Sequence, residues 1–212
     1  MSDKVPRSSL APAAHCPDVS AKFIYGNGIC VWLHDGALES SKDKIIWTKR
    51  PLAFATFLRD LAYGHGLFVA VGGSYFDEPG IIVTSRDGIV WTHRPSGTRK
   101  NLYSVTFGNG AFIAVGDSGA ICTSRNGVAW RAQPFGTDAL LSAVAAGNSM
   151  FVAGGESGLI LTSTNGERWS AHKLPKSVYV GTIVFSHGNF TVRSGSAHFV
   201  SGNGVDWETK TL

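Results

Sequence analysis

Five side chains with the types needed to hold or transform a polar ligand share one register of a repeating pattern. Lys22, Arg59, Asp60, Tyr103 and Ser104 each stand four or five residues before the glycine that closes an apolar segment. Repeats that close on themselves bring one register to one place, so this set is expected to crowd a single mouth. Lys22 and Asp60 depart there from the small residues of the other copies. They could bind a ligand at the floor of a pocket, or neutralise one another as an ion pair sealing the junction between two units. Asp117 and Glu156 occupy equivalent loop positions in neighbouring repeats. They suit turn hydrogen bonds or an acidic rim facing a polar ligand. Tyr75, in the long loop 73–79, completes the ligand-binding candidates. His34 beside Asp35 has the chemistry of an acid–base pair, and with Asp60 these are the catalytic candidates if the chain is an enzyme. His65 and His187 read as turn residues, and His93 and His172 fall on outer strands.

These residues must be positioned by a repeat. Ser-x-Asp/Asn-Gly-x-x-Trp occurs at Ser41–Trp47, Ser85–Trp91, Ser124–Trp130, Ser163–Trp169 and Ser201–Trp207, and the tryptophans follow one another at intervals of 44, 39, 39 and 38. A period near 40 means one supersecondary unit stacked repeatedly. Each unit reads as four short strands with period-two alternation. An Asn-Gly-like turn follows the first strand, and the Asp/Asn-Gly pair makes a tight hairpin before the fourth, both of its central residues being suited to φ > 0. The first copy, Ser41-Lys42-Asp43-Lys44, has no glycine, so its turn should be strained or differently shaped.

Consecutive four-stranded meanders at this period are propeller blades. The expected fold is all-β: a five-bladed β-propeller of four-stranded antiparallel blades, with an N-terminal extension over 1–19 and a single domain over 20–212. Each Trp should pack against the adjoining blade. No C-terminal strand is left over to complete blade one. Closure of the ring would then rest on packing, or on residues 5–18 laid along the seam; the alternative is a larger ring completed by another chain.

Composition agrees. The chain has 26 Gly, 6 Trp and 12 Phe against only 16% charged residues, a profile of short strands and tight turns. The net charge of +4 comes from scattered basic residues, not the clustered stripe of a nucleic-acid binder. No apolar run approaches the 18 residues of a membrane span. Residues 1–20 lack the apolar segment of a secretory signal. A cytoplasmic location is expected, or a secreted or periplasmic one if a signal has been removed. Cys16, Cys30 and Cys122 have no metal-like spacing, and Cys30 and Cys122 fall in apolar strands as small buried hydrophobes. HExxH, CxxC, Walker and Gly-x-Ser-x-Gly patterns are all missing. Neither metal nor cofactor is expected.

The Ser-x-Asp/Asn-Gly-x-x-Trp pattern resembles the Asp-box, or BNR, repeat of sialidases, shortened by one residue. Tyr63–Gly72 with Ile82–Gly88 is also similar to bacterial BNR-like repeats and to photosystem II assembly factor propellers. The resemblance covers about 190 residues and implies the propeller fold. Sialidase activity is not implied, since no arginine triad can be placed here. The assembly-factor role does not carry over either, because those propellers are usually longer and carry a basic patch. Fold alone does not give function. The expected function is a binding propeller holding a partner protein, glycan or small polar ligand on its loop face at the channel mouth. The alternative is a hydrolase, lyase or cyclase with one asymmetric site near blades one and two.

Overall fold

The computed structural model describes residues 22–52, 57–73, 80–133 and 135–210. They form five four-stranded antiparallel sheets, each made of consecutive strands. Blade one holds β1 (Lys22–Gly26), β2 (Ile29–His34), β3 (Ala37–Ser41) and β4 (Thr48–Lys49). Blade two holds β5 (Phe57–Gly64), β6 (Leu67–Gly73), β7 (Ile81–Ser85) and β8 (Thr92–Arg94). Blade three holds β9 (Leu102–Gly108), β10 (Ala111–Gly116), β11 (Ile121–Ser124) and β12 (Arg131–Ala132). Blade four holds β13 (Leu141–Gly147), β14 (Met150–Gly155), β15 (Leu159–Ser163) and β16 (Ser170–Lys173). Blade five holds β17 (Thr182–Ser186), β18 (Asn189–Ser194), β19 (Ala197–Ser201) and β20 (Glu208–Lys210). This is the five-bladed all-β propeller that the repeat predicts. The first strand of each blade packs on the first strand of the next, which makes it the innermost one.

Two turn chemistries build every blade. The inner hairpins put both central residues at positive φ, as in Asn27-Gly28 (49° and 77°) and His65-Gly66 (49° and 69°). That is the two-residue turn matched to strand twist, so His65 and His187 are turn residues as expected. The Asp/Asn-Gly turns differ from expectation. Only the glycine has positive φ, 70° at Gly127, and the turn is held by side chains instead. Asn126 Oδ1 accepts the Val128 and Ala129 amides at 2.9 Å each, and Ser124 Oγ accepts the Gly127 amide at 2.9 Å. Trp130 Nε1 donates to the Gly127 carbonyl at 2.9 Å. Short polar side chains thus supply the acceptors that a two-residue turn would take from backbone. The first copy keeps this geometry: Asp43 Oδ1 accepts Ile45 and Ile46 amides at 2.9 Å, and Lys44 is forced to φ 63°.

Every blade has a front face, toward the following blade, and a rear face, toward the preceding one. Ile29, Val31 and Leu33 of blade one meet Leu61, Tyr63, Phe68 and Trp91 of blade two. Leu67, Val69 and Val71 meet Val105, Phe107, Phe112 and Trp130. Ala111, Ile113 and Val115 meet Val144, Phe151 and Trp169. Ala145, Met150 and Val152 meet Ile183, Phe185, Phe190 and Trp207. All four tryptophans pack against the preceding blade, as expected, Trp130 and Trp207 buried and Trp91 and Trp169 half-buried. Among the described residues no fifth core joins blade five to blade one, and β17 does not pack on β1 as the other inner strands pack on one another. Among the described residues the end blades share no core, a seam where closure by packing is not observed. Residues 5–18, expected along that seam, lie outside the described residues, as does Cys16. Cys30 and Cys122 are free and buried, and burial pushes the Cys122 thiol up to about 12.

Candidate functional site

Inner strands begin on the same face as the hairpins that join second to third strands. Asp117 N donates to the Asn101 carbonyl and Glu156 N to the Leu140 carbonyl, both at 3.0 Å, while Leu58 N reaches the Gly36 carbonyl at 3.2 Å. A bulge shapes the start of three inner strands. In blade two Leu58 pairs with Gly72 and Asp60 with Val71, leaving Arg59 as the extra residue. Tyr103 is extra in blade three and Ser142 in blade four. A bulge re-aims the side chain it carries, so these three stand at equivalent points of the loop face. The partner strand must be glycine opposite each bulge. A Cβ on Gly72 would lie 2.2 Å from the Phe57 carbonyl oxygen, and one on Gly116 would lie 1.8 Å from that of Asn101. The glycine after Val71, Val115 and Gly154 was the available sequence signal for these bulges.

Beneath the bulges lies a closed polar network. Lys22 Nζ is 2.5 Å from Asp60 Oδ1, which also accepts the Leu61 amide at 2.8 Å. Asp60 Oδ2 accepts Ser104 Oγ–H and the Val105 amide, each at 2.8 Å. Ser104 Oγ in turn accepts the Val144 amide at 3.2 Å. Ser142 Oγ donates to the Val180 carbonyl. Bonds of this kind stitch the inner strands from blade one to blade four, and tie blade four to the segment before β17. Asp60 is buried and fully occupied by these partners. Lys22, Asp60 and Ser104 are brought together, with the Asp60 carboxylate joining the inner strands of blades one, two and three. Glu156 Oε2 caps the Leu140 amide at 3.1 Å, the turn role of the two considered for it.

Above this floor sits an open cluster. The Arg59 guanidinium lies 4.6 Å from the centre of the Tyr103 ring and 5.4 Å from that of Phe57. Cation–π contacts of this kind favour the stacked guanidinium. Burial, then hydrogen bonding to Asp117 and its charge, push the Tyr103 hydroxyl above its ordinary range, with Tyr179 adding and Arg59 opposing. Phe57 and Tyr179 expose 36% and 53% of their surface, leaving aromatic area beside the charge. No ion pair among the described residues involves Arg59. Sequence reasoning missed Phe57 and Tyr179, which hold the same register two residues ahead of Arg59 and Gly181.

The catalytic candidates do not assemble. His34 Nδ1 is 3.1 Å from Asp35 Oδ2, and its ring stacks on Trp32 at 4.5 Å. Neighbouring residues on a strand point to opposite faces. Val31 and Leu33 lie in the core between blades one and two, so Trp32 and His34 point to the rear face, away from Asp60. Tyr75 lies outside the described residues, with Asp77 and Glu78 of the same loop. Among the described residues no group of His, Cys, Asp and Glu could hold a metal ion, and no helix is long and apolar enough to cross a membrane.

No family model and no curated relative matches the chain. Among solved structures it is similar to YCF48 bound to D1 peptide, at 19% identity over 91% of this chain and 68% of that one, with a TM-score of 0.66. It is also similar to YCF48 from Cyanidioschyzon merolae, at 15% identity over 88% of this chain and 70% of that one, with a TM-score of 0.61. Virginiamycin B lyase from Staphylococcus aureus superposes with a TM-score of 0.76 at 11% identity, over 90% of this chain and 69% of that one. At these identities the likeness carries the propeller fold.

Proposed function

We propose that the chain is a binding propeller whose loop face holds a protein segment through a carboxylate, with Arg59 as the anchor. The observation that carries this reading is the Arg59 guanidinium, stacked on Tyr103 and Phe57 and outside every ion pair among the described residues. A planar guanidinium held on an aromatic face keeps its N–H fork for a carboxylate. Exposed Phe57 and Tyr179 offer area for apolar side chains, and aromatic and arginine anchors are the usual centres of peptide recognition. The D1 peptide seen on YCF48 supports the same use of this fold. A glycan or small polar acid would meet the same groups with less of the aromatic surface used. The Ser-x-Asx-Gly-x-x-Trp turns are read as shortened Asp-boxes with a folding role, and 20–212 as one unit behind the extension 1–19. Catalysis by His34 with Asp60 draws no support, because blade one's sheet stands between them.

The test is a titration with fluorescent peptides of matched sequence that end in a free carboxylate, carry internal acidic residues, or are amidated and neutral. Carboxylate-bearing peptides should bind, Arg59→Ala should abolish the binding, and Arg59→Lys should weaken it. A peptide, sugar or organic acid that binds equally well to Arg59→Ala would remove Arg59 from the site.

A further inference from the structure

We infer that the rear face of blade one is a docking surface for the aliphatic face of a β-sheet from another polypeptide, entering the seam as a blade would. The chain shows four times what covers such a face. At each internal junction an aliphatic front face receives aromatic side chains from the following blade. At each junction, too, a glycine makes room for one side chain. A Cβ on Gly26 would lie 2.4 Å from the Tyr63 ring, one on Gly64 2.2 Å from Phe107, and one on Gly147 2.1 Å from Phe185. Ala146 fills the same place over Gly108.

Blade one carries the incoming half of this fit, and nothing among the described residues receives it. Phe23, Tyr25, Trp32 and Trp47 hold the registers of Leu61, Tyr63, Ala70 and Trp91. Phe23 and Tyr25 are 40% and 61% exposed, whereas Leu61 is fully buried. The rings make a continuous surface: Trp47 meets Phe23 edge-on at 5.6 Å and Trp32 at 5.5 Å. Lys44 gives independent support. It stands where Gly88, Gly127, Gly166 and Gly204 would each bring a Cβ within 2.8 Å of the preceding blade. A lysine fits only where no tightly packed blade lies in front of that turn.

The chain's own far end does not complete the fit. Blade five presents Asn189, Thr191 and Arg193 at the registers of Leu67, Val69 and Val71, and Ser186 in place of the glycine. Its front face is mostly polar, with Val184 as an exposed apolar side chain at the register of Ala62, and matches the rear face of blade one poorly in a head-to-tail contact between copies. Two rear faces of blade one would oppose ring to ring without a glycine recess, and would bring the Lys44 ammonium groups, each 5.8 Å from the Tyr25 ring centre, toward one another. An aliphatic sheet with a glycine opposite Tyr25 is what fits.

The experiment supplies that sheet. Residues 139–181, which hold blade four and its link, are added directly before Lys22, so that Met150, Val152 and Gly147 of the added copy face blade one. Hydroxyl-radical footprinting then reads Phe23 and Tyr25. Their oxidation should fall to the level of Leu61 and Tyr63 in the same molecule. A control extension with Met150→Asn, Val152→Thr and Gly147→Ser in the added copy should leave them as reactive as in the natural chain. Equal protection by both extensions, or by neither, overturns the proposal. So does a natural chain that sediments as a dimer and returns to monomer on Tyr25→Glu. Protection in the natural chain that is lost on deleting residues 1–19 also overturns it, since the chain would then cover this face itself.

Discussion

The Ser41–Trp47 turn of blade one and the Ser124–Trp130 turn of blade three have the same hydrogen bonds and different surroundings. In both, an Asx side chain accepts two backbone amides at 2.9 Å and the serine accepts a third. Blade three uses glycine at the positive-φ position, where a Cβ would come within 2.5 Å of Leu67, and its Trp130 is buried. Blade one uses Lys44 there, with Trp47 only partly buried among its own blade's rings. The difference separates two demands on the glycine. Positive φ is local, and a lysine can bear it at a cost. Close approach of the preceding blade is not local, and a lysine cannot.

Tryptophan truncation should break the comparison most strongly. Trp130→Ala should cost about 3–5 kcal/mol, as large-to-small core changes do, whereas Trp47→Ala should cost less than about 2. Urea denaturation measures both, and equal costs would mean that blade one's rear face is packed. Next comes the inner network. Asp60→Ala strands the Ser104 hydroxyl and the Val105 amide in the interior and should cost about 2–4 kcal/mol. Lys22→Met should cost under about 1, because the ammonium is partly solvated. Smaller again are the glycine exchanges. Gly127→Lys should cost about 1–3 kcal/mol through overpacking, while Lys44→Gly should gain about 1 by relieving the left-handed backbone. If thermal melts show Lys44→Gly to be destabilising, the lysine has a packing role on this face.

Acid should distinguish the blades by the least margin. Backbone amides of Val90 and Ile89, helped by Ser85, hold the Asp87 carboxyl below its ordinary range, and those of Ile46 and Ile45, with Ser41, do the same for Asp43. A carboxyl lowered by folding contributes stability that is present above its unfolded pKa, about 4, and is lost as pH falls through the lower folded value. Blades three to five have Asn126, Asn165 and Asn203 instead, which carry no such charge. Amide protection, relative to the intrinsic exchange rate at each pH, should therefore fall at Ile45, Ile46, Ile89 and Val90 below pH about 4, while that of Val128 and Ala129 holds. Asp87→Asn should remove the response at Ile89 and Val90.

Much of this was legible because the repeat is local. The tryptophan interval set blade number and strand order, and alternation set the front and rear faces. The Asp/Asn-Gly turn was misread, since the dipeptide alone does not show that the serine two residues earlier supplies the acceptor. The Lys22–Asp60 contact followed from shared register. Its saturation by Ser104 and the Val105 amide depends on a neighbouring blade's backbone, which no local pattern records. Arg59 stood out as a charge, but its stacking on Tyr103 depends on two bulges coming side by side. The seam was the least legible feature. It rests on what blade five lacks, Asn189 and Thr191 standing where aliphatic residues stand elsewhere.

That each sheet takes its strands from one unbroken stretch of sequence also bears on how the molecule is made. Among the described residues no blade takes a strand from the far end of the chain, so contacts within a blade close over short loops. Units that touch only their neighbours can order as they leave the ribosome, each new blade condensing on the aliphatic face of the one before it.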